Sequence, residues 1–240
     1  TADPEVVIAL AYLAVGIVLL PAAVFDPPVE VAGAVLASSV AQGAYLTRLG
    51  TGYREGSLGV VYPIARGTAP LLVGLGGWLL LDERPSVATV VGLVVLLVGL
   101  VVLAGLGSRL RERRAVVLAV GTGLCTVSYS LIDASAVDLT GALGYLSVIM
   151  VLSSTMVLLI RRPGWARLRP VLGVSAVVGA GQGGAYALIL LAFQQAQAGQ
   201  VAGLRQVSVV LGVLIAREAL GPRALWGAVL VAVGAILVIW

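Results

Sequence analysis

The chain has no lysine and no histidine, so all 15 of its basic residues are arginine. Without lysine there is no amine for a retinal-type Schiff base, and without histidine no imidazole for a metal site or proton relay. The single cysteine, Cys125, excludes an intrachain disulfide, and its place in an apolar run reads as a small core residue. No Walker A segment occurs, and Gly74, Gly76 and Gly77 lack a nucleotide-binding context, so no ATPase is encoded. No Ser/His, Cys/His or two-metal constellation can be assembled, so the reading is not an enzyme, with no cofactor and no metal. Charge is scarce as well. Only 11% of the 240 residues are charged, 60% are hydrophobic and the mean hydropathy is +1.10. Soluble domains carry about 25% charged residues, and a chain this short has too much surface to cover with so few.

What is present instead is a series of long apolar runs. Nine spans are predicted, at residues 6–25, 29–49, 58–81, 87–106, 115–137, 142–160, 171–192, 199–216 and 224–240. The runs are continuous rather than alternating, which argues for helices and against a membrane barrel. Short turn-like links join them, among them 26-DPP-28 and 161-RRPGWARLRP-170. With nine spans, twelve arginines fall in links on one side and Arg84 alone on the other. The positive-inside rule makes the arginine-rich side cytoplasmic, with the N-terminus there and the C-terminus outside. The net charge of +4 and pI near 9.6 are therefore a topology signal, not a sign of nucleic-acid binding.

An internal repeat emerges from spacing. Gln42, Tyr45, Arg66, Glu83, Gly92 and Gly99 match Gln182, Tyr186, Arg205, Glu218, Gly227 and Gly234. The offsets are 140, 141 and 139 at the first three pairs and 135 at the last three, so the eighth span is about one turn shorter than the third. Matched spans run in opposite directions, which defines an inverted-topology repeat, an architecture of many secondary transporters. The expected fold is an all-α polytopic membrane protein of nine helices in two inverted repeats, four plus five. The repeats cover 1–106 and 115–240, with an arginine-rich cytoplasmic linker at 107–114. The fifth span has no counterpart, and the chain begins 1-TADPE-5 without Met or a basic leader, so a further span is expected upstream. Its absence would leave a surface for lipid or a second copy, hence a homodimer.

The stretch 59-GVVYPIARGTAPLLVGLGGWLLL-81 carries Arg66 inside an apolar run, flanked by Pro63 and Pro70. Arg66 lies ~12 Å into its span and Arg205 ~9 Å into the matching one from the other side. A buried arginine is costly there and must face a wet cavity or a partner. Pro70 cannot donate to the Arg66 carbonyl, nor Pro63 to that of Gly59, and freed backbone groups are tolerated only where something satisfies them. Tyr62 shares the face of Arg66, and Ser208 that of Arg205 with Gln206 adjoining. Gln42 and Gln182 read either as pathway groups or as interhelical hydrogen-bonding glue. Asp133, with Tyr129 one turn below, lies ~27 Å along the fifth span, near the outer interface. Asp82, Glu83 and Arg84 read as a solvated boundary, and Gly179 with Gly183 as a close helix contact.

These residues resemble the drug/metabolite transporter superfamily, EamA-domain type. The resemblance is carried by 53-YREGSLGVVYPIARGTAPLLVGLGGWLLLDER-84 with Gly92 and Gly99, and by 128-SYSLIDA-134 and 201-VAGLRQVSVVLG-212 with Glu218, Gly227 and Gly234. It covers essentially the whole chain. It implies ten helices in two inverted five-helix halves and movement of small metabolites by alternating access. Against that pattern the first helix is absent, 205-RQVS-208 lacks a carboxylate beside the arginine, and the eighth span is short. The expected activity is secondary transport of a small polar or anionic metabolite across the inner membrane. Arg66 and Arg205 would bind the substrate, Tyr62, Gln42, Gln182, Gln206, Ser208 and Tyr129 would line its path, and Asp133 would serve coupling. The alternative is a non-transporting membrane scaffold whose buried arginines lock helix packing.

Overall fold

Every regular element among the described residues is helical, as an apolar chain must be when its backbone groups have to be satisfied within each segment. The computed structural model describes residues 3–55, 58–104, 113–215 and 222–240. Its helices are Pro4–Val18 (α1), Leu20–Phe25 (α2), Ala32–Glu55 (α3), Leu58–Leu80 (α4), Val87–Ala104 (α5), Arg113–Ala136 (α6), Ala142–Arg161 (α7), Trp165–Leu168 (α8), Leu172–Phe193 (α9), Ala198–Leu204 (α10), Val207–Ile215 (α11) and Pro222–Ile239 (α12). Among the described residues, three segments are long and apolar enough to cross a membrane, Val116–Leu139, Ala142–Arg161 and Arg169–Phe193. Shorter apolar helices occupy Pro4–Val18, Ala69–Leu80, Val87–Leu103 and Leu225–Ile239. Residues 107–112 of the 107–114 linker, and Glu218, lie outside the described residues.

Two predicted spans are not continuous. The first breaks at Leu19, because Pro21 has no N–H to give the Ile17 carbonyl. The eighth breaks at Arg205 and Gln206, which separate α10 from α11. By contrast, α4 runs through both Pro63 and Pro70 without a break.

The chain divides into two compact units, each drawing on both sequence halves: residues 1–51 with 128–195, and 52–127 with 196–240. In the first unit α1 packs on both α7 and α9. The α1–α7 contact is antiparallel and close. A methyl at Gly16 would lie 3.0 Å from the Ser147 carbonyl oxygen, and the Ser147 hydroxyl donates to the Gly16 carbonyl at 2.7 Å. Further along, a methyl at Gly144 would lie 2.6 Å from the Asp26 carbonyl. Against α9, a methyl at Gly179 would meet the Ala11 carbonyl at 2.6 Å and one at Gly183 the Val15 side chain. The close contact expected of that glycine pair is thus made with α1.

In the second unit the principal packing is α5 against α12, antiparallel and lined by glycine. A methyl on Gly92 would sit 2.9 Å from the Gly234 carbonyl, and one on Gly234 would sit 2.8 Å from that of Gly92. A methyl on Gly99 would sit 3.0 Å from the Gly227 carbonyl, with Val231 N at 2.7 Å. Leu96, Leu100, Val209, Val231 and Ala235 close the core beside these crossings. On the α4 side, Gly199 of α10 crosses Gly74, where a methyl would come 2.8 Å from the Gly74 Cα.

Candidate functional site

Polar groups buried in an apolar bundle need partners, and the first unit supplies them around two carboxylates. Asp133 on α6 is wholly buried. The Ser38 hydroxyl on α3 donates to Oδ1 at 2.5 Å and the Tyr145 hydroxyl on α7 donates to the same oxygen at 2.7 Å. The Tyr186 hydroxyl on α9 donates to Oδ2. Four helices thus converge on one carboxylate. One turn below Asp133, the Tyr129 ring meets Tyr45 and Tyr186 edge-on, with centroids 5.7 and 5.9 Å apart. Tyr45 and Tyr186 are the matched tyrosines of the repeat, brought to the same ring.

The second carboxylate is Glu5 on α1, also wholly buried. It forms an ion pair through Oε2 with Arg161 Nη2 at the end of α7, and Oε1 accepts the Thr51 hydroxyl at 3.0 Å. Gly50 makes room, since a methyl there would lie 1.9 Å from Glu5 Cγ. Arg161, counted as a link cation in the sequence, therefore closes one end of this unit. Neither Ser38, Tyr145 nor Glu5 stands out in sequence, because only the fold shows which hydroxyl or cation an acid meets.

The second unit holds the arginines. Arg66 is half-buried on α4, while the Tyr62 side chain lies outside those described. At the α10–α11 break the hydrogen bonding shortens. The Gln206 N–H donates to the Gly203 carbonyl at 3.0 Å, and the Ala202 carbonyl takes the Gln206 side-chain amide at 3.1 Å instead. The Ser208 hydroxyl and N–H both donate to the Arg205 carbonyl, at 2.7 and 3.3 Å. Gln206 and Ser208 thus serve the backbone at the break, and the Arg205 side chain issues from it half-buried. Of the two glutamines, Gln42 is buried on α3 with Nε2 unpartnered, whereas Gln182 is exposed on α9. Gln182 therefore does not join the buried polar groups of its unit.

Glu83 corrects the solvated-boundary reading. Asp82 adopts φ 54°, a left-handed turn that returns the Glu83 N–H to the Gly77 carbonyl at 3.1 Å. The Glu83 carboxylate then accepts the Ala198 N–H at 2.6 Å, capping α10 with a negative charge. Alongside it, the Gln197 side-chain amide donates to the Arg84 carbonyl at 3.1 Å. Burial raises the Glu83 pKa above its ordinary 4.5, and the Ala198 and Gly199 N–H groups oppose that rise. A carboxyl raised on folding adds stability below pH 4.5 that is lost as pH climbs through its folded value. Glu83→Gln is expected to flatten that part of a melting-temperature profile taken from acid to neutral pH. An unchanged slope would remove Glu83 from the titration.

Among the described residues no group of three or more Cys, Asp and Glu is placed to hold a metal. No family model and no curated protein matches the chain. Solved structures do match. One of them, a crystal structure described only as that of a protein, superposes with a TM-score of 0.78 at 17% identity, covering 100% of this chain and 89% of its own. At that identity the likeness is one of fold.

Proposed function

We propose that the chain is a secondary transporter of the inner membrane, of the drug/metabolite transporter type, with nine spans in two inverted repeats. It moves a small polar or anionic metabolite by alternating access, with Arg66 and Arg205 neutralising the substrate. The observation that carries the reading is the glycine contact of α5 with α12. The sequence repeat pairs Gly92 with Gly227 and Gly99 with Gly234, and the contacts pair Gly92 with Gly234 and Gly99 with Gly227. Exchanging the repeats turns each contact into the other. A self-complementary antiparallel contact of this kind is what a two-fold axis between matched helices produces, and such an axis in the membrane plane is the mark of inverted-repeat transporters.

Three further features agree. The start of α1, the end of α3 and the end of α7 meet at Glu5, Thr51 and Arg161, and the arginine count assigns all three ends to the cytoplasmic face. All four tryptophans, Trp78, Trp165, Trp226 and Trp240, are exposed near helix ends, where a membrane interface would take them. A helix interrupted beside an arginine is a device by which transporters meet a substrate. The test is counterflow in proteoliposomes, loaded with an unlabelled small organic anion and given the same anion labelled outside. Saturable trans-stimulated uptake is expected. Its absence across carboxylate and phosphate anions would favour the scaffold, in which the arginines only lock packing.

A further inference from the structure

We infer that Asp133 is a reversible proton-binding site. The inference deepens the transport reading, on which it rests for its use, by naming the proton as the coupling ion. The two buried acids of the first unit are held by different chemistry. Glu5 faces the Arg161 guanidinium, which can only donate and has no lone pair to accept from a carboxylic acid. Asp133 is held by the hydroxyls of Ser38, Tyr145 and Tyr186. A hydroxyl donates to a carboxylate, and after a small rotation accepts from a carboxylic acid. The same ring therefore serves both protonation states without repacking four helices.

A second observation places unsatisfied polar atoms beside the ring. Ser130 Oγ and Gln42 Nε2 are buried atoms without a hydrogen-bond partner, and their residues are 0% and 2% exposed. Ser130 lies on the α6 face of Asp133 at i−3, and Gln42 on the α3 face of Ser38 at i+4. Ser38 touches Asp133 at one level and Tyr45 touches Tyr129 at the next, so Gln42 and Ser130 come between the same two rungs. Buried polar atoms left over in this way are met by bound water. A hydronium at that place would transfer its proton to an Asp133 carboxylate oxygen, forming one O–H bond, breaking another and leaving neutral water, with no electrons exchanged. Titratable groups that face Asp133 include the phenols of Tyr145 on α7 and Tyr186 on α9, with Tyr129 on α6 and Tyr45 on α3 below them. The unit's other buried acid among the described residues, Glu5, is paired with the half-buried Arg161.

The experiment is infrared difference spectroscopy of the full chain in nanodiscs, between acid and alkaline buffer. A protonated-carboxyl stretch is expected that vanishes in Asp133→Asn and, still titrating, shifts in frequency in Tyr186→Phe. The phenylalanine variant keeps the packing volume, so it reports even where the asparagine variant misfolds. No titrating carboxyl band, or one indifferent to both substitutions, would leave Asp133 in a single protonation state across that range and overturn the site. The transport part is read separately. A titrating band without counterflow of any anion keeps the proton site and removes the transporter. Counterflow without accumulation under an imposed pH gradient keeps the site and removes the coupling.

Discussion

Arg161→Leu is expected to cost the folded chain about 3–5 kcal/mol, whereas Glu5→Leu should cost much less, although both break the same ion pair. The asymmetry comes from burial. Glu5 is 0% exposed and Arg161 is 30% exposed. Removing the arginine strands a carboxylate inside the bundle, with the Thr51 hydroxyl as a remaining neutral donor. Removing the glutamate strands a guanidinium at the end of α7 whose long side chain can swing toward water or headgroups. In the Glu5 variant the single Thr51 hydroxyl hydrogen, otherwise shared between Glu5 Oε1 and the Thr47 carbonyl, turns wholly to Thr47. A Glu5→Leu, Arg161→Leu double variant should recover most of the loss, because an apolar pair in a buried ionic site is often neutral or better. Thermal unfolding of the three variants in one detergent measures this. Equal losses in the two single variants would mean that Glu5 is hydrated in solution and that the pair is a surface contact.

The helices were legible because the membrane-type pattern is one of composition: long apolar runs, punctuated by short links with arginine, allow little besides helix. The two breaks within spans were less so. Pro21 sat in plain sight inside a run, but Pro63 and Pro70 sit in similar runs and leave α4 continuous. A proline marks a carbonyl without its donor, and the surrounding packing decides whether the helix kinks. The break at Arg205 has no proline at all. It depends on Gln206 and Ser208 giving side-chain hydrogen bonds to the Ala202 and Arg205 carbonyls, which spacing alone does not announce. The glycine positions of the repeat were visible, but which glycine meets which is a property of the α5–α12 crossing. The acid sites were hardest. Asp133 could be singled out as a carboxylate within a span, yet its partners lie 95 residues earlier and 12 and 53 residues later in sequence.

In the counterflow assay, Arg205→Leu is expected to abolish anion uptake, and Arg205→Lys to weaken it by about ten- to a hundred-fold, the worth of one charge-assisted hydrogen bond. Lysine restores the charge but not the planar fork that grips a carboxylate or phosphate with two parallel bonds. The backbone argument favours this position. At the break, the Ala202 and Arg205 carbonyls are met by the side chains of Gln206 and Ser208, so local groups satisfy the backbone of the irregular turn. Arg205→Lys should accordingly leave the melting temperature close to that of the parent while raising the half-saturation concentration. Ser208→Ala should change uptake little, since it removes one donor from a carbonyl that the Ser208 N–H still meets. The scaffold reading predicts the opposite division. There the guanidinium would be packed against fixed neighbours, so lysine would lower the melting temperature by losing its geometry. Full uptake by Arg205→Lys together with a clear fall in melting temperature would assign Arg205 to packing and leave the substrate to other groups.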